Sequence, residues 1–555
     1  MEVNTLVNLY QSGRYSDAEE LAISITKRTP GNQFSWKILA AILLQRGKAS
    51  EALIASKKSV ILSPKDTEAK YNLGVVQQQL GQFEDAIDSY KKAIELKPGY
   101  IEAYTNLAIL QQKLGRFQDA EISYKKVIQL EPNLVEPYFN LGNTLQALNK
   151  LEEAEASYNQ AIILKPNYHE AICNLGVVYQ ALGRLEEAVD NYRYSISLNA
   201  SQAATLSNLG NALKELGRLE EAEDCYRQAV ILEPNYAEAF YNLGITLQEL
   251  ERLEESEVNY QQAINIKNDY VEAYCNLGVV QQELKKIDKA EESYKKAISL
   301  NPNYAQAHCN LGLFFKKTGR LEEAEESFKK SIYINSENPI TLWNFITLLH
   351  FINKFDDLKF YCKHLMSIDK DNYGLKSGVI LALTHFLEDD VKMCEKHLLL
   401  SSKIKIQTKL NFKNEKTYHT YLSSLLKEHE KRFFNFKQNE KSLYVIGESH
   451  SLVSHRLNIN NSKGNFFCKA KLIMGCKQFH LGNSVANKYQ MKFKNIMCSL
   501  PQSSEVLISV GEIDCRIDTG IMEHIKKYPT KNKKRVIIST IKNYLNYVYK
   551  TNRIC

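Results

Sequence analysis

The sequence predicts a mainly α fold: a right-handed α-solenoid of about ten helix–turn–helix repeats, a helical cap, and a small α/β domain short of a full sheet. Three observations predict it. A 34-residue unit recurs from the N-terminus to about residue 338. Within each unit, apolar residues fall three and four apart in two successive blocks, the spacing of two amphipathic helices. From Lys441 onward the pattern changes to short apolar runs that end in Gly-led polar loops, as strands of a parallel sheet do.

The unit is plainest at Asn-Leu-Gly and its near variants. These fall at Asn72, Asn106, Asn140, Asn174, Asn208, Asn242, Asn276, Asn310 and Asn344, each exactly one unit length from the last. Leu73, Gly74 and Leu80, with their equivalents, occupy one face of a first helix. Gly81, Gly115, Gly183, Gly217 and Gly319 stand where that helix should end, suiting a left-handed cap. Three units replace this glycine, with Asn149, Glu251 and Lys285. Asn tolerates the left-handed region, whereas Glu and Lys there should each cost about 1 kcal/mol. Phe83, Ala86, Tyr90, Ala93 and Ile94 then mark a second helix, and Pro98 closes it, because the residue before a proline resists the α region. Trp36, Gly47, Ala52 and Pro64, preceded by Gly13, Ala18 and Pro30, carry the register back to the N-terminus. One extra helix is expected at Thr341–Phe351. Such a unit cannot bury its apolar face alone but can do so by stacking.

These columns resemble the tetratricopeptide repeat. The combination of Asn-Leu-Gly, Gly-Arg-Leu-Glu-Glu-Ala and Ile-x-Leu-x-Pro-Asn-Tyr is similar to the repeats of the O-GlcNAc transferase and Spindly group. That resemblance covers roughly the first 340 residues. It implies that the Asn column, Asn72 through Asn344, forms a ladder inside a superhelix and holds a protein segment there. The residue type suits the task, since an amide offers both donors and an acceptor to peptide N–H and C=O groups. The alternative for the same column is that each Asn bridges neighbouring repeats or faces water. Glycosyl transfer is a weaker analogy, because residues 341–555 do not resemble that group's sugar-nucleotide region.

Charge separates the two halves. Residues 341–555 hold 35 Lys+Arg and 18 Asp+Glu, leaving 36 and 46 of the totals 71 and 64 to residues 1–340. The net charges are therefore +17 and −10, which marks two modules and fits a Lys-rich surface better than a nucleic-acid site. No apolar run approaches a membrane span and the first residues do not read as a signal peptide. The 11 Cys residues show no Cys-x-x-Cys pair, so reduced thiols in a cytoplasmic protein are expected. Cys468, Cys476 and His480 lack a zinc spacing, and neither a metal nor a cofactor is called for.

The expected domains are residues 1–338 (repeats), 339–440 (helical cap) and 441–555 (partial α/β). In the cap, from residue 352, the repeat register is lost, and His350, His364, His385, His397, His419 and His429 read as surface or helix-end residues. Residues 442–446 and 506–510 read as strands, and Val536–Tyr549 as an amphipathic helix. The polar loops after the strands resemble the SGNH/GDSL hydrolases. That resemblance makes Ser449 in Gly447-Glu448-Ser449 the nucleophile, Gly475 an oxyanion-hole residue, and Asp514 part of a third block. Two features depart from the family pattern. Ile513 replaces the oxyanion-donating Asn, and no His has an Asp three residues before it to serve as base. The preferred function is an interaction scaffold, with an SGNH-like esterase or acyl hydrolase as the alternative.

Overall fold

The computed structural model describes residues 2–388, 390–402, 441–447, 458–461, 464–472 and 505–509. The chain divides into two compact units, Met1–Ile266 and Lys267–Cys555.

The first unit is a stack of eight helix pairs. They begin with α1 (Glu2–Gln11) and α2 (Tyr15–Arg28), α3 (Gln33–Gln45) and α4 (Ala49–Leu62), α5 (Thr67–Gln79) and α6 (Phe83–Leu96), then α7 (Ile101–Lys113) and α8 (Phe117–Leu130). They continue with α9 (Val135–Ala147) and α10 (Leu151–Leu164), α11 (His169–Ala181) and α12 (Leu185–Leu198), α13 (Ala203–Glu215) and α14 (Leu219–Leu232), then α15 (Ala237–Glu249) and α16 (Leu253–Ile266).

The turn inside each pair is a left-handed residue. Gly13, Gly47, Gly81, Gly115, Gly183 and Gly217 have φ of 73 to 75°, and Asn149 and Glu251 keep that geometry at 57° and 59°. Glu251 thus sits in a conformation that its Cβ opposes. The core is built by a ring-over-glycine contact. Tyr90, Tyr158, Tyr192, Tyr226 and Tyr260 of the second helices are 0% exposed. Their rings lie so close to Gly74, Gly142, Gly176, Gly210 and Gly244 that a Cβ there would stand 2.5 to 2.8 Å from a ring carbon. The hydroxyls do not go unpaired. Tyr90, Tyr124, Tyr192 and Tyr260 donate to Gln78, Gln112, Gln180 and Gln248, each 12 residues earlier. Burial pushes the phenol of Tyr158, like its equivalents, well above its ordinary value.

The second unit opens with α17 (Val271–Glu283) and α18 (Ile287–Leu300), α19 (Ala305–Thr318) and α20 (Leu321–Ile334). Next come α21 (Pro339–Phe351) and α22 (Phe355–Ile368), then α23 (Lys370–Leu387) and α24 (Val391–Ser402). Here the structure differs from the expectation of a single extra helix. Helix α22 starts one full repeat length after α20, and the turn between α21 and α22 is left-handed at Asn353, φ 61°. The helix pairing therefore continues through residue 368. Lys285 also holds the left-handed turn, φ 62°. His350 and His385 stand in the last turns of α21 and α23, at helix ends as expected, but they and His397 are buried at 6 to 8% exposure rather than on the surface, and the rings of His385 and His397 stack 5.3 Å apart.

Four strands are described in this unit: β1 (Lys441–Gly447), β2 (Asn458–Asn461), β3 (Gly464–Leu472) and β4 (Glu505–Ser509). Their order is β2-β3-β1-β4. Strand β1 is parallel to both β3 and β4, with Gly447 opposite Leu472 on one side and Ser509 on the other. Strand β2 is antiparallel to β3. Strands β1 and β4 fall within one residue of their expected positions, while β2 and β3 were not anticipated. Among the described residues, no helix is long and apolar enough to cross a membrane.

Candidate functional site

From α5 to α21 each first helix carries its column Asn in a strip that faces solvent, half-buried at every position except Asn242, which is buried. In α7 this strip is Glu102, Asn106, Ile109 and Lys113; in α9 it is Glu136, Asn140, Asn143 and Ala147. The ends of the strip are exposed, and in its middle Asn106, Asn140 and Asn143 are half-buried while Ile109 is exposed, as a spacing of four, three and four places one helical face. In the first unit, the neighbouring first helices α9, α11, α13 and α15 approach one another more closely than neighbouring second helices do, so their strips adjoin.

The column is not uniform. Asn106 Nδ2 donates to Tyr71 Oη at 2.8 Å, one repeat back. Asn174 and Asn242 also reach one repeat back, but to Asn143 Oδ1 at 2.8 Å and Asn211 Oδ1 at 3.2 Å. In the second unit Asn310 Nδ2 donates to Cys275 Sγ at 3.2 Å, and Gln306 donates to its Oδ1. Tyr71 and Cys275 stand 35 positions before Asn106 and Asn310; before Asn174 and Asn242 that position holds Phe139 and Ser207, and the amide reaches an Asn one turn further on. Inter-repeat bridging is thus a property of this column at those four positions. Much of its amide capacity remains over, since Oδ1 of Asn106, Asn174 and Asn242 meets no protein donor among the described residues.

A second column escaped the sequence reading. Glu19, Glu121, Glu155, Glu223, Glu291 and Glu325 share one register position of the repeat on the second helices. Each pairs with the cation that immediately precedes the next second helix, at a constant sequence separation of 29: Lys48, Lys150, Arg184, Arg252, Arg320 and Lys354. Glu121 also takes Lys125, Glu223 takes Arg227, and Glu325 takes Lys329. The carboxylates are nearly buried, 6 to 9% exposed at Glu19, Glu121, Glu223 and Glu325. Hydrogen bonding from Lys48 holds Glu19 below the ordinary carboxylate value, against the opposing effect of burial. At Glu121 burial raises the value, and the bonds from Lys125 and Lys150 together outweigh it. The Glu and basic columns were visible in the sequence as a fixed offset from one repeat to the next.

Asn143 and Asn211 were also missed. They stand where neighbouring units carry Val75, Ile109, Val177 and Ile245, a polar break in an apolar column. Ser449, Gly475 and Asp514 lie outside the described residues, as do Cys476, His480, His419, His429 and 536–549. Six described cysteines, Cys173, Cys225, Cys275, Cys309, Cys362 and Cys394, are free thiols. Burial pushes Cys225 up to about 11 and Cys275 up to about 12, so both are inert packing groups at neutral pH.

Residues 16–273 match the model of the cilia and flagella-associated protein 70 C-terminal domain. Two tetratricopeptide-repeat models match residues 271–304 and 293–326. No curated protein matches the chain. Among solved structures, YrrB, described as a TPR protein with an unusual peptide-binding site, is 27% identical over 33% of this chain and 95% of its own, with a TM-score of 0.30. The MamA protein is 27% identical over 31% and 94%, TM-score 0.30. Yeast Tom70 is 14% identical over 73% and 97%, TM-score 0.37. With its periodic helix pairs, left-handed turns and ring-over-glycine core, and with these repeat models matching, the chain is a tetratricopeptide-repeat protein.

Proposed function

We propose that this chain is an interaction scaffold that holds an extended protein segment along the open strips of its first helices. One observation carries the proposal: amides recur at one position on adjoining helices, and part of their hydrogen-bonding capacity is left over. Spare, regularly spaced amide groups match the regular N–H and C=O groups of an extended backbone. The thiols support a reducing, cytoplasmic setting. The test replaces Asn106, Asn140, Asn174 and Asn208 together by Ala and measures binding of peptides selected on the native chain from a random dodecapeptide library. Affinity should fall at least about tenfold with helicity unchanged; unchanged affinity sinks the proposal.

A second reading concerns residues 441–555 as an SGNH-like module with Ser449, Gly475 and Asp514 in the roles given above. In the described sheet the first parallel strand, β1, lies between β3 and β4. In such sheets ligands bind beyond the carboxyl ends of the strands where the order reverses, and Ser449 follows β1 by two residues. Labelling by a fluorophosphonate that disappears in Ser449→Ala supports it; a native chain that takes no label counts against it.

A further inference from the structure

We infer that the cavity between α18, α19 and α20 is a docking site for one tyrosine side chain of a partner protein, with His308 as its hydrogen-bond acceptor. The cavity measures about 580 Å³ and is lined by Ile298, Pro302, Tyr333 and Ile334 and by the Glu326–Lys330 ion pair. It is separate from the Asn column. His308 stands two positions before Asn310, on nearly the opposite side of α19.

A comparison of repeats shows what the cavity is shaped for. The register position of His308 is held by Trp36 in the α3–α4 pair. Trp36 Nε1 donates to Pro30 O at 2.9 Å, and His308 Nε2 meets the equivalent carbonyl, Pro302 O, at 3.0 Å. The two five-membered rings are thus anchored through corresponding nitrogens. In an indole, the six-membered ring is fused to the edge that in imidazole is Nδ1–Cε1. His308 lacks that ring, so the corner it would fill is left open beyond Nδ1. Tyr104, Tyr138, Phe240 and Tyr274 bring rings to the same register position in four other units. An aromatic ring is therefore what this corner of the repeat packs.

The open edge is polar. A carbonyl only accepts, so Nε2 carries the ring proton and Nδ1 is a bare acceptor. Burial, helped by the nearby Lys330 charge, holds the imidazole below its ordinary value against the bond to Pro302, which keeps it neutral at pH 7. His308 is 6% exposed, yet Nδ1 meets no protein donor among the described residues and is not sealed from solvent. The acceptor thus lies at the floor of the cavity, while Tyr333 at its rim is 92% exposed. A tyrosine entering tip first brings an O–H donor to that floor and lays its ring against the apolar walls. Phenylalanine supplies the ring without the donor. The volume exceeds one ring, and the exposed Glu326 and Lys330 offer an acceptor and donors to the amides on either side of the tyrosine. That favours a residue of a protein over a free phenol.

The test titrates the full chain with N-acetyltyrosinamide, N-acetylphenylalaninamide and p-cresol, followed by ligand-observed NMR. The tyrosine probe should bind about fivefold more tightly than the phenylalanine probe, the worth of one hydrogen bond, and more tightly than p-cresol. His308→Trp puts in the residue of the α3–α4 pair; it should fill the cavity, keep the melting midpoint and abolish binding of all three. His308→Leu, the residue type of Leu206 and Leu342 at this position, should remove the preference for tyrosine over phenylalanine. If His308→Trp lowers the melting midpoint, His308→Leu alone decides. The site is refuted if the native chain binds none of the probes or does not distinguish tyrosine from phenylalanine. It is refuted equally if binding survives in a folded His308→Trp chain. If p-cresol binds as tightly as the tyrosine probe, a protein occupant is refuted.

Discussion

The first-helix and second-helix columns repeat with the same period, and both tie one repeat to the next. Their valence differs. Glu121, Glu223 and Glu325 each hold two cations and have little left to offer a ligand. Asn106, Asn174 and Asn242 spend an N–H on the preceding repeat and keep a carbonyl oxygen. Periodicity alone therefore does not tell a staple from a binding surface. The remaining hydrogen-bonding capacity does.

Substitutions can break that comparison, beginning with the core beneath both columns. Tyr158→Ala empties the space over Gly142 and should cost about 4 kcal/mol in urea unfolding, and it removes the hydroxyl that donates to Asn143. Cutting a staple is milder. Lys150→Ala leaves Glu121 with Lys125 alone and should cost about 1 kcal/mol without changing peptide affinity. The staples also give the array its acid sensitivity. Glu19, Glu121, Glu291 and Glu325 titrate below the ordinary value of 4.5 in the folded chain, so their stabilisation is complete above that pH. It is lost as pH falls through the lower folded values, because the unfolded chain takes up protons first. A pH series of melting curves should show the native midpoint falling below about pH 4.5, and less steeply in Glu121→Gln. At the turns, Glu251→Gly relieves a left-handed non-glycine residue and should raise stability by about 1 kcal/mol. The smallest effect belongs to the ladder. Asn72 makes no side-chain hydrogen bond among the described residues, so Asn72→Ala should leave the melting midpoint unmoved. Asn174→Ala removes a bridge and should lower it measurably.

The repeat array was legible because its columns keep their residue types along the chain itself: Asn-Leu-Gly, the turn glycine and the Tyr recur with little change. It became illegible at α22 for a physical reason. In the α19–α20 pair Gly312 lies under Phe328; in the next pair the same positions hold Ile346 and Cys362, both 0% exposed. The large group has changed helix and the small one has changed with it, so the packed volume survives while both residue signatures vanish. The relays through Asn143 and Asn211 were hidden differently. Asn143 and Asn211 each break an apolar column, but only the Tyr158 and Tyr226 contacts show that the break is wired to the core. Strands β2 and β3 lack the continuous apolar runs that announced β1 and β4.

The most direct test of the scaffold claim compares binding and melting for two variants. One is the four-Asn ladder variant on the first helices; the other is Lys150→Ala with Lys354→Ala at the starts of second helices α10 and α22. The account predicts that the ladder variant loses peptide affinity at least about tenfold while the staple variant loses stability and binds as the native chain does. Equal peptide affinity in the native chain and the ladder variant would contradict it.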